Sequence, residues 1–350
     1  MSVADGARPV RDEDAFDVPA VDSWLRERTQ LPAGLPEVKQ FSGGASNLTY
    51  LLRYDGHDLI LRRPPAGTKA KGAHDMGREY RIQAALKPVF PYVPTMVAHC
   101  NDTAVIGSEF YVMERIAGTI PRKSELGVEL TAEQTRQLCY TVIDTLVDLH
   151  QVDAGQAGLT DLGRGDGYVV RQVNGWSTRY RKAKTWNVPS YERVMTWLQA
   201  NQPADVRTCV IHNDFRLDNV VLAPDDPLKV AGVLDWELAT LGDPLMDLGS
   251  ALAYWVQADD DWQFRRFRLQ PSDAPGMLSR DEIVQYYCER SGLKPENWAF
   301  YEVFGLFRLA VIAQQIYYRY HHKQTRNPRF KNLWLPVNLL ERRCRRIMRG

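Results

Sequence analysis

Residues 210–247 read VIHNDFRLDNVVLAPDDPLKVAGVLDWELATLGDPLMD and contain two runs of apolar, mostly β-branched residues separated by a turn. The runs, 220–223 and 230–234, flank Pro224-Asp225-Asp226-Pro227, and such a Pro/Asp cluster is typical of a hairpin turn. A hairpin here brings Asn219, just before the first strand, close to Asp235, just after the second. Asp214 lies on the loop that leads into the first strand. The segment therefore predicts that three oxygen-bearing side chains meet at one end of a hairpin.

Such a set of side chains suits phosphoryl transfer. An Asp on a catalytic loop can accept the proton of an attacking hydroxyl, while an Asn and a second Asp hold magnesium through the hard oxygen ligands that this ion prefers. Asp214 is therefore the predicted catalytic base, and Asn219 and Asp235 are the predicted Mg²⁺ ligands. Arg216 is a second catalytic candidate, as a cation near the transferred phosphoryl group. The alternative is that Asp214 and Asn219 merely cap turns.

The same residues resemble the aminoglycoside phosphotransferase and choline kinase-like family, whose loop reads H-x-D-x-x-x-x-N and whose metal Asp precedes a Glu two residues later. The matching positions, including a G-D-P-x-x-D segment, are His212, Asp214, Asn219, Asp235, Glu237 and residues 242–247. The resemblance implies an α+β, bilobal, protein-kinase-like fold. Its small N-lobe is an antiparallel sheet with one main helix, and its larger C-lobe is mainly helical.

This fold divides the chain into three parts. Residues 1–34 are expected to be an N-terminal tail, loose up to about residue 15, with a short helix at 22–28. Residues 35–116 form the nucleotide-binding N-lobe, and residues 117–350 form the C-lobe with the catalytic loop and the substrate pocket. A capping-box pattern at Thr131 and Gln134 predicts the first C-lobe helix. A break is expected at 174–176, a further helix over 189–200, and mainly helical structure after Asp247.

The first nucleotide-binding candidates lie between two predicted strands in 38–52. The small-residue loop 42–47 separates these strands, and glycine there allows backbone N–H groups to approach phosphates. The candidates on it are Gly43, Gly44, Ser46 and Asn47. A Gly-Gly turn is also typical of an ordinary hairpin, so this alternative stays open.

A second phosphate contact is predicted at the end of the next strand. The resembled family has a lysine there, paired with an acid on the following helix. This sequence has Arg62 instead, which keeps the charge and can bind phosphate in a bidentate manner, but whose fork is longer and flatter than an ammonium group. The helix acid is expected to be Glu79, if Tyr80, Ala84 and Leu86 form the buried face of helix 76–86. The alternative is a Glu79 that pairs with nearby arginines at the surface.

The last nucleotide contact is predicted where the N-lobe ends. Residues 105–113 read as a strand that leads into the link between the lobes. In kinases this link binds the adenine edge through its backbone. The resemblance thus places cofactor contacts at Met113, Glu114 and Arg115, and ATP with Mg²⁺ is the expected cofactor pair.

Overall composition argues against several classes of protein. The chain has 44 Lys and Arg against 43 Asp and Glu, so its charge does not favour nucleic acid or a membrane surface. Its five cysteines are odd in number and contain no C-x-x-C, which favours reduced thiols over disulfides or zinc. The charged residues before the first apolar stretch are not expected to form a signal peptide, and no uncharged apolar run of this sequence reaches the roughly 18 residues of a membrane helix. We expect a cytoplasmic protein whose oligomeric state the sequence does not reveal.

The charge distribution bears on the substrate. Residues 251–350 contain 17 Lys and Arg against 10 Asp and Glu. A basic region fits an anionic small molecule better than a polycationic aminoglycoside. Candidate contacts, which are also typical of a solvated basic face, are Arg308, Arg319, His321, His322, Lys323 and Arg326.

The resemblance narrows the expected activity. Residues 61–65, 73–75, 78–81 and 212–219 are similar to the subgroup related to the N-terminal kinase-like domain of acyl-CoA dehydrogenase family members. This implies an enzyme that transfers the γ-phosphate of ATP to a hydroxyl of a small molecule, a hydroxyacyl-CoA or a hydroxy acid. The alternatives are a catalytically weak nucleotide-binding pseudokinase, an aminoglycoside or sugar kinase, and a protein kinase, although D-F-G is replaced by Asp235-Trp236-Glu237.

Overall fold

The computed structural model describes residues 6–41, 47–65, 75–123 and 125–350. The chain forms two compact units. The first comprises Met1–Thr119 with the short segments Val221–Pro224 and Ala231–Glu237, and the second comprises Ile120–Val220, Asp225–Val230 and Leu238–Gly350.

The first unit is built on a six-stranded antiparallel sheet with the strand order β1-β2-β3-β4-β6-β5. Its strands are β1 (Ala7–Pro9), β2 (Glu37–Phe41), β3 (Leu48–Tyr54), β4 (His57–Arg63), β5 (Met96–Cys100) and β6 (Phe110–Glu114). Two helices accompany the sheet, α1 (Val18–Arg26) and α2 (Met76–Leu86). The predicted antiparallel sheet is therefore confirmed.

Alternation along β3 gives the sheet two buried faces. Tyr50 and Leu52 belong to one apolar cluster with Leu25 of α1. Leu51 points the other way and belongs to a second cluster with Met76 of α2. Because successive side chains of a strand alternate between faces, a helix can cover each side of the same strand.

Helix α2 occupies the predicted residues, but its buried face differs from the expected one. Asp75 caps it by accepting the backbone N–H of Arg78. The buried residues are Met76, Glu79, Ile82, Gln83 and Leu86, whereas Tyr80 and Ala84 are only partly buried. The polar Glu79 and Gln83 lie on the inner face because they have hydrogen-bond partners there. An apolar pattern in the sequence does not reveal such partners.

Two expectations about this unit are wrong. Residues 6–15 are not a loose tail, because β1 pairs with β2 and the buried Asp14 accepts a hydrogen bond from Gln40 Nε2 at 2.8 Å, whereas residues 1–5 lie outside the described residues. An edge strand held by backbone bonds needs no apolar pattern. The strand expected over 105–113 begins only at Phe110, because residues 101–108 form turns in which Gly107 has a φ of +79°.

The predicted hairpin is present as β8 (Val220–Leu222) and β9 (Val230–Val233), which pair with each other. Within the first unit, Thr119 and Leu222 exchange backbone hydrogen bonds of 3.0 and 2.8 Å. The backbone N–H of Val233 donates to the carbonyl of Tyr92 at 2.7 Å. These bonds fix the strand that ends just before Asp235.

The second unit is mainly helical. Its helices are α3 (Ala132–His150), α4 (Tyr168–Ala183), α5 (Glu192–Ala200), α6 (Pro244–Leu252), α7 (Trp262–Arg266), α8 (Arg280–Ser291), α9 (Trp298–His321) and α10 (Trp334–Ile347). A short antiparallel pair, β7 (Cys209–Ile211) with β10 (Thr240–Gly242), lies among them. The capping box of Thr131 and Gln134 starts α3 as predicted. The break expected at 174–176 is wrong, because α4 runs through Gly175.

Helix α9 is the core helix of this unit. In the described part of the chain it is the one helix whose length and apolar composition would allow it to cross a membrane. It packs against α4, α6 and α10, and 61% of its most apolar window is buried within the protein. Its approach to α6 is close, because a Cβ added to Gly305 would lie 2.0 Å from the carbonyl oxygen of Gly249.

Candidate active site

The loop that follows β7 is held by Asp247 in the first turn of α6. Its carboxylate accepts the backbone N–H groups of His212 and Asn213, each at 2.8 Å. The Nε2 atom of His150, the last residue of α3, lies 3.1 Å from the same carboxylate. Asp247 thereby joins the loop to two helices. The sequence motif contains Asp247 but does not reveal this anchoring role.

The carboxylate of Asp247 is fully buried and is surrounded by hydrogen-bond donors. Burial by itself would raise the pKa of Asp247, but the hydrogen bonds from the His150 side chain and the His212 backbone, together with the electrostatic effect of these residues, outweigh burial and hold the pKa below its ordinary value. The helix start is itself fixed by Asp243, which accepts the N–H groups of Leu245 and Met246. A charged anchor is therefore kept at the beginning of α6.

Asn213 forms the sharp corner of the loop. Its φ of +65° lies in the left-handed region, which Asn tolerates better than most residues. Its carbonyl accepts a hydrogen bond of 2.7 Å from Nη2 of Arg308, and its side-chain oxygen lies 3.1 Å from the hydroxyl of Tyr168. The corner is thus held by both α9 and α4.

The corner is followed directly by Asp214, the predicted base. Its backbone N–H donates to Nδ1 of the fully buried His212 at 3.2 Å. That nitrogen is therefore an acceptor, and His212 braces the loop. The carboxylate of Asp214 lies 3.3 Å from Nε of Arg216 and accepts a hydrogen bond of 3.2 Å from the amide of Asn219.

Arg216 has three neighbours on this loop and beside it. Besides Asp214, its guanidinium lies 3.1 Å from Asp218 and 4.7 Å from the ring centre of Tyr254. A cation held between two carboxylates and an aromatic face is fixed in direction as well as in charge. Its predicted contact with a transferred phosphoryl group stays a prediction.

Asn219 is suited to a cation. Its Nδ2 donates to both the carbonyl and the carboxylate of Asp214, at 2.8 and 3.2 Å. The amide oxygen therefore points a hard ligand, of the type that Mg²⁺ takes, away from these bonds. The described residues contain no group of three or more His, Cys, Asp or Glu that could hold a metal by itself. Mg²⁺ usually takes one or two protein oxygen ligands together with phosphate oxygens and water, and the amide oxygen of Asn219 is suited to be one of these protein ligands.

Within the first unit, the half-buried Asp235 belongs to a network of charged residues with the buried Arg62 and Glu79. It has a φ of +71°, and its carboxylate accepts a hydrogen bond of 3.2 Å from Arg62. Arg62 also lies 3.5 Å from Glu79, so the predicted ion pair is present. Burial alone would lower the pKa of Arg62, but the electrostatic effects of Tyr111, Glu79 and Asp235 raise it above its ordinary value. Arg62 is thus a permanent cation beside Asp235.

Asn47 and Glu79 belong to the same network. Glu79 is 2% exposed and accepts hydrogen bonds from Asn47 Nδ2 at 2.8 Å and from the Tyr111 hydroxyl at 2.9 Å. Asn47 also donates to Glu237 at 3.4 Å. The side chain of Asn47 is therefore bound to carboxylates, and a contact with phosphate stays a prediction. Gly43, Gly44 and Ser46 lie outside the described residues.

The predicted adenine contacts lie at the end of β6. Met113 is buried in the apolar cluster beside α2. The backbone N–H groups of Glu114 and Arg115 donate to the carbonyls of Thr95 and Asp58, at 2.8 and 3.3 Å. An adenine ring bound here would have to use other backbone groups of this segment. Its binding stays a prediction, as does the sharing of one metal by Asn219 and Asp235.

The sequence matches that of a known protein family. The family model described as "Phosphotransferase enzyme family" matches residues 37–292. The chain is 38% identical over 317 residues to acyl-CoA dehydrogenase family member 10 of Mus musculus. The matched region covers 89% of this chain and 29% of the mouse protein. Across the curated relatives that it matches, the chain spans between 29% and 42% of their length.

Solved structures show the same fold. A Ralstonia eutropha protein assigned by name to the aminoglycoside phosphotransferases superposes with a TM-score of 0.82 at 30% identity, covering 96% of this chain and 99% of that one. A complex of aminoglycoside phosphotransferase APH(4)-Ia with AMP-PNP and hygromycin B has a TM-score of 0.58 at 14% identity, covering 94% and 98%, and so shows the fold alone. With a family model that matches most of its length and a kinase-like fold, the chain belongs to the phosphotransferase enzyme family.

Proposed function

We propose that this protein is a small-molecule kinase that transfers the γ-phosphoryl group of ATP to an alcohol hydroxyl. The observation that carries the proposal is the way in which neighbouring residues hold the carboxylate of Asp214. Its carboxylate lies on a loop whose backbone is fixed by Asp247, and it contacts both Asn219 and Arg216. A base held in this way can orient a hydroxyl without reorganising during the reaction.

The chemistry required of Asp214 is simple. The acceptor oxygen forms a bond to the γ-phosphorus, the bond from that phosphorus to the β,γ-bridging oxygen breaks, and the hydroxyl proton moves to a carboxylate oxygen of Asp214. ADP is the leaving group. Most of the rate enhancement in such reactions comes from positioning and charge neutralisation, with base catalysis adding about 10²–10⁴-fold. Arg216 adds a fixed positive charge beside the base.

We assign Mg²⁺ binding to the amide oxygen of Asn219 and the carboxylate of Asp235, and phosphate binding to Arg62. When bound, Mg²⁺ neutralises negative charge on phosphate oxygens. Arg62 is buried, permanently charged and fixed by Glu79, so its direction is set before a nucleotide arrives. The AMP-PNP in the complex of APH(4)-Ia supports a nucleotide as the donor.

For the acceptor we propose a hydroxyacyl-CoA or a hydroxy acid. The support is the similarity to acyl-CoA dehydrogenase family member 10, together with the basic balance of residues 251–350. A polycationic aminoglycoside would meet repulsion from such a region. We also propose that the reaction takes place in the cytoplasm, as the cysteine usage suggests.

The test is a screen with γ-labelled ATP and Mg²⁺ against hydroxyacyl-CoAs, hydroxy acids, sugars and aminoglycosides. We expect label transfer to an acyl-CoA or hydroxy acid, and a loss of about 10²–10⁴-fold in kcat for Asp214→Asn. Asp225→Asn is the matched control, because Asp225 is an exposed turn residue, and it should retain full activity. Wild-type protein that binds ATP but labels no acceptor would instead favour the pseudokinase alternative.

A further inference from the structure

Arg308 is a buried cation without a carboxylate partner. It lies in the middle of α9 and is 5% exposed, and within the described residues no ion pair involves it. Arg343 of α10 provides a contrast, since its largely shielded guanidinium lies 2.9 Å from Asp260 and 3.8 Å from Glu302. Burial of an unpaired charge is costly, so proteins normally supply a counter-ion. Arg308 lacks one.

The surroundings of Arg308 contain a second cation instead. The guanidinium carbon of Arg308 lies 5.3 Å from the ring centre of Trp176, and that of Arg179 lies 4.5 Å from the same ring. The two cations are therefore within about 10 Å of each other, a distance at which charges near a protein surface still repel. Loss of solvent and this repulsion lower the pKa of Arg179. No ion pair of Arg179 occurs in the described part of the chain either.

Two guanidinium groups gathered on one indole ring attract an anion. Arg308 uses one N–H in its bond to Asn213, which leaves most of its five donors for another acceptor. Planar guanidinium groups match the two oxygens of a carboxylate or phosphate. The indole of Trp176 adds an apolar wall that strengthens such bonds by excluding water.

The position of this pair relative to the catalytic loop suggests what the anion is. Arg308 bonds to the carbonyl of Asn213, and Asp214 is the next residue in the chain. An anion held by Arg308 would therefore lie beside the residue that we assign as the base. Tyr168, whose hydroxyl bonds to the side chain of Asn213, lines the same place.

We propose that Arg308, Arg179 and Trp176 form a binding site for an oxyanion group, carboxylate or phosphate, carried by the acceptor substrate. The inference deepens the proposed function and rests on it for the identity of the ligand as the acceptor. The site selects anionic acceptors because the bound oxyanion supplies the counter-charge that Arg308 lacks. A neutral analogue of the same acceptor leaves this charge uncompensated and binds more weakly.

The first test measures anion binding to the full chain by calorimetry, with inorganic phosphate and tricarballylate as probes. Each titration is run with and without AMP-PNP, so that any anion bound where the nucleotide phosphates bind is excluded. The variant is Arg179→Gln, because the Arg179 guanidinium lies over Trp176 and bonds to no part of the catalytic loop. The matched control is Lys182→Gln, an exposed cation on the same helix. Arg308→Lys, which keeps the charge but loses the planar fork, is the second variant.

Wild-type protein should bind at least one probe, and Arg179→Gln should weaken binding about tenfold or more, as for loss of a charge-assisted hydrogen bond. Lys182→Gln should stay within about twofold of wild type. Arg308→Lys should weaken binding while its unfolding temperature stays near that of wild type. The stronger of the two probes identifies the oxyanion as phosphate or carboxylate.

Equal anion affinities in wild type, Arg179→Gln and Lys182→Gln would overturn the site, as would the absence of binding at about 10 mM of either probe. This outcome is separate from a failure of the proposed function, because anion binding requires no catalysis. If the protein binds the probe through Arg179 but transfers no phosphoryl group, the anion-site proposal is supported and the proposed kinase activity is refuted.

Discussion

The guanidinium of Arg62 lies 3.5 Å from the carboxylate of Glu79, and only 11% and 2% of the two side chains are exposed. Glu79 has two further hydrogen-bond partners, Asn47 and Tyr111, and among the described residues Arg62 is the cation that pairs with it. Because the pair is buried, each member depends on the other much more than at the surface.

Arg62→Gln should therefore destabilise the protein by about 3–5 kcal/mol, since it leaves Glu79 buried without a counter-charge. Arg62→Lys, which keeps the charge, should cost less. The double variant Arg62→Gln with Glu79→Gln should lose less than the sum of the two single variants. Denaturant unfolding measures these effects, with the exposed Arg8→Gln as the control. Additive losses would show that the two residues do not stabilise each other.

Asp247→Asn should loosen the catalytic loop. The asparagine side chain is uncharged and has one acceptor oxygen, so it cannot replace the carboxylate that accepts both backbone N–H groups and lies beside His150. We therefore expect the unfolding free energy to fall by about 3 kcal/mol or more and kcat to fall as well. The ATP affinity should change much less than kcat, because the loop carries the base. Unfolding and steady-state kinetics test this, with Asp225→Asn alongside. A variant with normal kcat would show that the anchor is dispensable.

Asp247 also has a defined pH dependence. Its pKa is lowered in the folded protein, so its contribution to stability is present above the unfolded pKa of about 3.9 and is lost as pH falls through the still lower folded pKa. The difference in unfolding free energy between wild type and Asp247→Asn should therefore shrink in acid. A difference that stays constant from neutral pH down to acid would contradict the assigned charge state.

Glu282, the capping-box residue of α8, also has a lowered pKa and is more exposed than Asp247. Arg136 and the N–H and hydroxyl of Ser279 lower the pKa of Glu282 from 4.5 to about 2. The stabilisation should be complete above about pH 4.5 and should disappear as pH falls towards 2, and salt should weaken it. The unfolding free energy of Glu282→Gln measured against pH tests this. Glu289→Gln, an exposed change on the same helix, is the matched control.

Gly305 and Gly175 should respond in opposite ways to alanine. At Gly305 the new Cβ would lie 2.0 Å from a backbone oxygen of α6, so Gly305→Ala should destabilise by about 3 kcal/mol or prevent folding. At Gly175, inside α4, the nearest atom is the end of the Arg179 side chain at 3.5 Å. Gly175→Ala should therefore stabilise by about 0.5–1 kcal/mol. Thermal unfolding of both variants checks the contrast, and equal shifts would contradict the close approach of α6 and α9.

Local pattern predicted a large part of this fold. The hairpin after Asn219, the extent of α2 and the capping box of α3 all depend on residues within a few positions of each other, and all three are present. Local pattern failed where backbone bonds or packing decide the outcome. The edge strand β1 carries no apolar alternation, and α4 continues through Gly175 although glycine there indicates a break.

The sequence by itself determined which chemical groups the candidate site contains, since Asp214, Asn219 and Asp235 stand in a motif that is local to the chain. The tertiary structure alone decided how they are held. Asp247 reaches the loop from α6, Glu79 meets Arg62 from α2, and Arg308 meets Trp176 from another helix. The physical reason is that a motif specifies residue types over short separations, whereas the compensation of buried charge depends on residues that only packing brings together.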